Sequence, residues 1–151
     1  MSAPILRQGV FVLVCDGRKA ILLENEGDHV YPKLTTRMAT EHRDLPSHEI
    51  GTDVPGRTFS GKQGRHSAIE PADLQAIVEE RFLRDVVAGV RRDVFEGKIA
   101  KLILVAPPRA LAVLRKELSP AAQAVVSAEL AKDLVRLPVH EIEEHLAKVR
   151  V

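Results

Sequence analysis

One cysteine, one tyrosine, four phenylalanines and no tryptophan are all that this chain of 151 residues holds of thiol and aromatic side chains. A lone Cys15 rules out a disulfide within the chain and fits a reducing compartment. With so few rings, the core has to be filled by Leu, Ile, Val and Ala. A base-stacking surface of the kind many single-strand RNA binders use lacks its platforms. An excess of one charge is missing too: 22 Lys plus Arg stand against 21 Asp plus Glu, a net charge of +1. That argues against a strongly electrostatic nucleic-acid or membrane binder and leaves only a local basic patch open. Met1 to Gln8 carries no basic region followed by a long apolar segment, so neither a secretory signal nor a membrane span is expected, and a cytoplasmic location is. Absent as well are the GxxxxGK[ST], GxGxxG, CxxC and HExxH patterns, so no nucleotide, dinucleotide, zinc or other cofactor site is expected.

What remains is an ordinary globular composition, 45% apolar and 28% charged, long enough for one domain with a sizeable core. The stretch that organises it is Lys101 to Arg109. Lys101 to Ala106 is a short apolar run predicted as a central strand, and four consecutive aliphatics, Leu102 to Val105, predict burial on both of its faces. Pro107 or Pro108 fits the first turn of a helix, where a missing amide hydrogen costs nothing, and Ala110, Leu111, Val113, Leu114 and Leu118 supply that helix with a buried side.

Upstream, Val10 to Cys15 and Ala20 to Leu23 are β-prone runs separated by Asp16-Gly17, a hairpin signal because both residues tolerate positive φ. The turn is either that pair or a longer Asp16 to Lys19 loop. Leu34 to His42 is expected as a third, more exposed strand, and Arg43 to Pro71 as a long irregular loop. From Pro71 a long helix is predicted, with Leu74, Ile77, Val78, Phe82, Val86, Val90 and Val94 on one stripe and a stop at Glu96-Gly97-Lys98. After Ser119-Pro120 the chain is ambiguous, and a strand at Val126 to Ala131 is favoured because the central strand needs a neighbour. Pro138 opens a last helix with Ile142, Leu146 and Val149 inward. Together these elements define a single α/β domain over residues 1–151, a mixed sheet of about five strands covered by three main helices.

Two places offer chemistry. At the strand-to-helix junction, unpaired first-turn amides and Arg109 suit a phosphate or carboxylate. In the long loop, Arg57, Lys62 and Arg65 outnumber Asp53 on a glycine-bearing scaffold, and His66 stands beside them to orient a contact. A divalent-metal nuclease would need converging carboxylates, for which Asp16, Glu79 or Glu80, and Asp133 are the available trio. Ser60 and Ser67 lack a nucleophile-elbow sequence, and Cys15 reads as an inert buried thiol.

The chain also resembles the bacterial host attachment proteins, those required for attachment to host cells. The likeness rests on Val14 to Ala20, on Asp53 to Ser60 with Gly64-Arg65-His66, on Leu104 to Arg109 with Leu111 and Leu114-Arg115, and on Glu129 to Leu134 with Pro138 and His145-Leu146. That resemblance implies a fold similar to the middle domain of archaeal and eukaryotic peptide-release factors, with its RNase H-like sheet. In those release factors a Gly-Gly-Gln loop reaches the peptidyl-transfer centre; here the region reads Gly61-Lys62-Gln63-Gly64, so peptide release is not carried over. The leading expectation is a non-enzymatic cytoplasmic interaction protein, acting indirectly on attachment, with Arg57, Lys62, Arg65, His66 and Arg109 as contacts to a protein partner. The alternatives are a ribosome- or RNA-binding module using the same residues, and the metal-dependent nuclease.

Overall fold

A computed structural model describes residues 3–42 and 71–150, with side chains from residue 73 onward in the second segment. Five strands form one open mixed sheet among the described residues: β1 (Phe11–Cys15), β2 (Lys19–Asn25), β3 (Leu34–Glu41), β4 (Leu102–Ala106) and β5 (Val126–Ala131). Their order is β3-β2-β1-β4-β5. β2 pairs antiparallel with both β1 and β3, whereas β1–β4 and β4–β5 are parallel. Among the described residues four helices accompany the sheet: α1 (Pro71–Phe95), α2 (Pro108–Glu117), the short α3 (Pro120–Ala124) and α4 (Val139–Ala147).

All five residues of β4 are buried, and their alternation splits them between two cores. Leu102, Leu104 and Ala106 join Leu13, Cys15, Ala20 and Leu22 beneath α1, α2 and α3. Ile103 and Val105 join Val12, Val14, Ile21 and Leu23 beneath α4 and the N-terminal Ile5 and Leu6. The aliphatic run therefore does what its composition requires: a strand buried on both faces gains about 1.5–3 kcal/mol per large side chain and has no polar face to offer water. The edge strand β3 shows the opposite pattern, mostly exposed after Leu34. Its first residue is pinned to the α4 layer, because the Leu34 amide donates to Glu143 Oε2 at 2.7 Å.

The helix boundaries follow local chemistry. Gly97 takes φ +81° just past α1, the left-handed conformation that lets a helix end. Pro107 is extended at the start of α2, with Pro108 in its first turn. The ambiguous stretch resolves into α3, capped by Ser119 Oγ accepting from the Ala122 amide at 3.2 Å, followed by β5 over the expected residues.

Two expectations need correction. Leu74 and Ile77 are not part of the buried stripe but are 38% and 46% exposed. Glu79 already lies against the turn at the end of the sheet, so the residues before it run past the sheet's edge. Burial starts at Phe82 and Leu83 and continues through Val86, Val87 and Val90. Gly17, likewise, does not take positive φ; among the described residues only Gly9 and Gly97 do so as glycines. Gly17 is needed for space instead, as the cleft shows. The expected loop at residues 43–71 lies, up to residue 70, outside the described residues.

Candidate functional site

The parallel neighbours β1 and β4 part company at their C-terminal ends: β1 turns back into β2 on one side, and β4 leads through α2 and α3 to β5 on the other. A switch of direction between parallel neighbours leaves a crevice that no crossover fills, and open α/β sheets characteristically bind ligands there. In this chain the crevice is a cleft of about 380 Å³. Its walls are Asp16, Gly17 and Arg18 of the β1–β2 turn, Ala76, Glu79, Glu80 and Leu83 of α1, and Pro107, Arg109, Ala110 and Val113 at the start of α2.

The turn is held by its own aspartate. Asp16 Oδ1 accepts from the amides of Arg18 and Lys19, both at 2.8 Å, and the Asp16 amide donates to the Lys19 carbonyl at 2.9 Å. The end of β3 locks onto the same loop, since the His42 amide donates to the Arg18 carbonyl at 2.6 Å. α1 closes over it so tightly that a Cβ on Gly17 would stand 2.7 Å from Glu79 Cβ and Cγ. Behind the turn, Cys15 is fully buried, and burial, reinforced by the neighbouring Asp16 charge, pushes its thiol up to about 12. At neutral pH it is an inert thiol, as its apolar strand implied.

The cleft's carboxylates all have cationic partners. Glu79 pairs with Arg18 at 3.5 Å, and Asp16 meets Arg136 at 4.0 Å. Glu80 is shared by Arg84 at 3.4 Å and Lys116 at 3.5 Å. Arg109 differs: it is exposed and has no ion-pair partner among the described residues. It sits in the first turn of α2, which receives no side-chain cap. The first turn of α2 thus lines the opening with the amides of Arg109 and Ala110 (Pro108 has none) and with a guanidinium unpaired among the described residues, an arrangement that favours an anionic group arriving from solvent.

Of the residues expected at the site, Arg109 is thus on the cleft wall, while Arg57, Lys62, Arg65 and His66 lie outside the described residues. Asp16 and Glu80 share the cleft, but Asp133 is exposed and does not line it. Among the described residues no group of three or more His, Cys, Asp or Glu side chains is placed to hold a metal ion, so the nuclease trio does not assemble. Sequence reasoning missed Arg18 and Arg136 as members of this surface and saw Glu79 only as a metal ligand. No local spacing joins them; the packing of α1 and of the segment after β5 against the β1–β2 turn does. No helix among the described residues is long and apolar enough to cross a membrane.

A layered α/β domain with a mixed five-stranded sheet and a crevice at its switch point is the class that this geometry defines. Within that class, the chain belongs to bacterial archaeo-eukaryotic release factor family 12, which it matches over residues 9–146. It is also similar to an uncharacterized protein of Rickettsia prowazekii (strain Madrid E), 28% identical over 103 residues, covering 66% of this chain and 69% of that one. The family match supports the release-factor relation implied by the sequence and gives no support to the host attachment family.

Proposed function

We propose that the chain is a ribosome-associated binding module that contacts ribosomal RNA through the rim of the β1–β4 cleft. The observation that carries this reading is the match to a release-factor-like family across nearly the whole chain. The cleft supplies a physical route: Arg109, unpaired among the described residues and in the uncapped first turn of α2, meets a backbone phosphate, while Arg18 is held in place by Glu79. Arg57, Lys62, Arg65 and His66 extend this contact set in the proposal. The strand order β3-β2-β1-β4-β5, with β2 running against the other four, supports assigning the sheet to the RNase H-like type. With a near-neutral net charge, binding depends on the local surface rather than on the field of the whole molecule. Co-sedimentation of the full chain with ribosomes tests the reading. Wild type is expected in the ribosomal pellet at low salt, and Arg109→Ala in reduced amount; a chain that stays in the supernatant refutes it.

A further inference from the structure

The far end of α1 carries a second surface that the cleft does not explain. Phe95, in the last turn, is 90% exposed, more than any other large apolar side chain among the described residues. Ala88, Arg91, Arg92 and Phe95 follow at three-, one- and three-residue steps, so they share one face of the helix. This face is turned away from the buried stripe of Phe82, Leu83, Val86, Val87 and Val90. Together with Val94 and with Ala121 at the start of α3, these residues line a groove of about 380 Å³. Arg91 and Arg92 have no ion-pair partner among the described residues, in contrast to Arg84 about two turns earlier, which bridges Glu80 and Glu117. The groove thus combines an apolar lining, a projecting ring and two guanidinium groups unpaired among the described residues, with no carboxylate among its lining residues. Along α1 it runs from Ala88, about 12 Å beyond Glu80, to Phe95, about 22 Å beyond it, and it shares no lining residue with the cleft.

We infer that this groove docks an acidic peptide segment of a partner protein, one that seats an apolar or aromatic anchor side chain against Phe95, Ala88 and Ala121 and sets flanking carboxylates on Arg91 and Arg92. Charge decides among the occupants. A second copy of the chain, packed face to face, would bring Arg91 and Arg92 against their own counterparts without a carboxylate between them. A nucleic-acid strand needs successive stacking rings and a continuing cationic track, whereas here a single ring is followed by Glu96, already paired with Lys98 at 3.1 Å. An acidic segment with one anchor matches both the two guanidinium groups and the single ring, and bidentate carboxylate contacts suit arginine.

Fluorescence anisotropy with the full chain tests the assignment, using a labelled synthetic peptide of glutamates around one Trp. An all-glutamate peptide and an oligouridine strand serve as the comparison probes. Saturable binding of the Trp-containing peptide is expected, weakened by about ten-fold or more in Phe95→Ala and in the Arg91→Ala/Arg92→Ala double variant and unchanged in Lys132→Ala, which lines neither opening. All four positions are exposed, so the variants should keep the wild-type melting curve. The inference is overturned by absent or non-saturable peptide binding, by an all-glutamate peptide that binds equally well, or by Phe95→Ala without effect. Tighter, Phe95-dependent binding of the oligouridine, or a concentration-dependent dimer lost in Phe95→Ala, overturns it as well.

Discussion

Glu79 of α1 lies against Gly17 of the β1–β2 turn with no room for another carbon: a Cβ at position 17 would be 2.7 Å from both Cβ and Cγ of Glu79 and 2.8 Å from its Cδ. The contact sets the distance between helix and sheet at the mouth of the cleft, and it places Glu79 where it can pair with Arg18. Gly17→Ala should therefore cost about 1–3 kcal/mol through overpacking, since the blocking atoms include a Cβ that no rotamer change can move. Glu79→Ala removes Cγ and Cδ but keeps that Cβ, so the double variant should recover only part of the loss. Thermal denaturation of the two single variants and the double variant checks this; a Gly17→Ala protein as stable as wild type would mean that α1 yields freely.

Asn25 is the one polar side chain buried among the described residues, and it ties three segments together. Its Nδ2 donates to the carbonyls of Arg7 at 3.1 Å and Asp28 at 3.3 Å, while its Oδ1 accepts from the amides of Gly27 at 3.0 Å and Lys33 at 2.9 Å. Asn25→Ala leaves those backbone groups without partners and should destabilise the fold by about 2–4 kcal/mol, read as a shift in the urea midpoint. Asn25→Asp retains the acceptor, loses the donor and buries a charge, so it should fare no better.

The Cys15 thiol gives a pH signature. Its ordinary value of 9.0 is raised to about 12 in the folded chain, so above pH 9 the unfolded state loses a proton that the folded state keeps. The contribution is complete below pH 9 and declines as pH rises toward 12, by about 1.4 kcal/mol per pH unit. Cys15→Ala should flatten this alkaline decline. Thiol-reactive dye at pH 8 should label the folded wild type at the rate of global unfolding and not faster.

Much of the scaffold was legible because it is written in local patterns. Four aliphatics in a row have few solutions other than a doubly covered strand, and Leu102 to Val105 found that one. The Glu96-Gly97-Lys98 stop worked because a left-handed residue ends a helix whatever surrounds it. Leu74 and Ile77 show the limit: periodicity identifies a face but not where the sheet beneath it ends. The cleft was only half legible for the same reason. Arg109 announced itself as a junction residue, whereas Arg18 meets Glu79, and Arg136 meets Asp16, across intervals that only the tertiary fold brings together. Asp16, Glu79 or Glu80, and Asp133 read as a metal-binding trio in sequence, and that trio does not form: the first three line the cleft, paired with cations, while Asp133 stays apart.

The most direct test of the functional account is the salt dependence of ribosome binding, measured by co-sedimentation of wild type and Arg109→Ala across a potassium series. A phosphate contact predicts affinity falling linearly with salt on a log–log plot, with the slope reduced by about one in the variant. Binding that ignores salt, or two slopes that coincide, would contradict a role for Arg109 at an RNA surface.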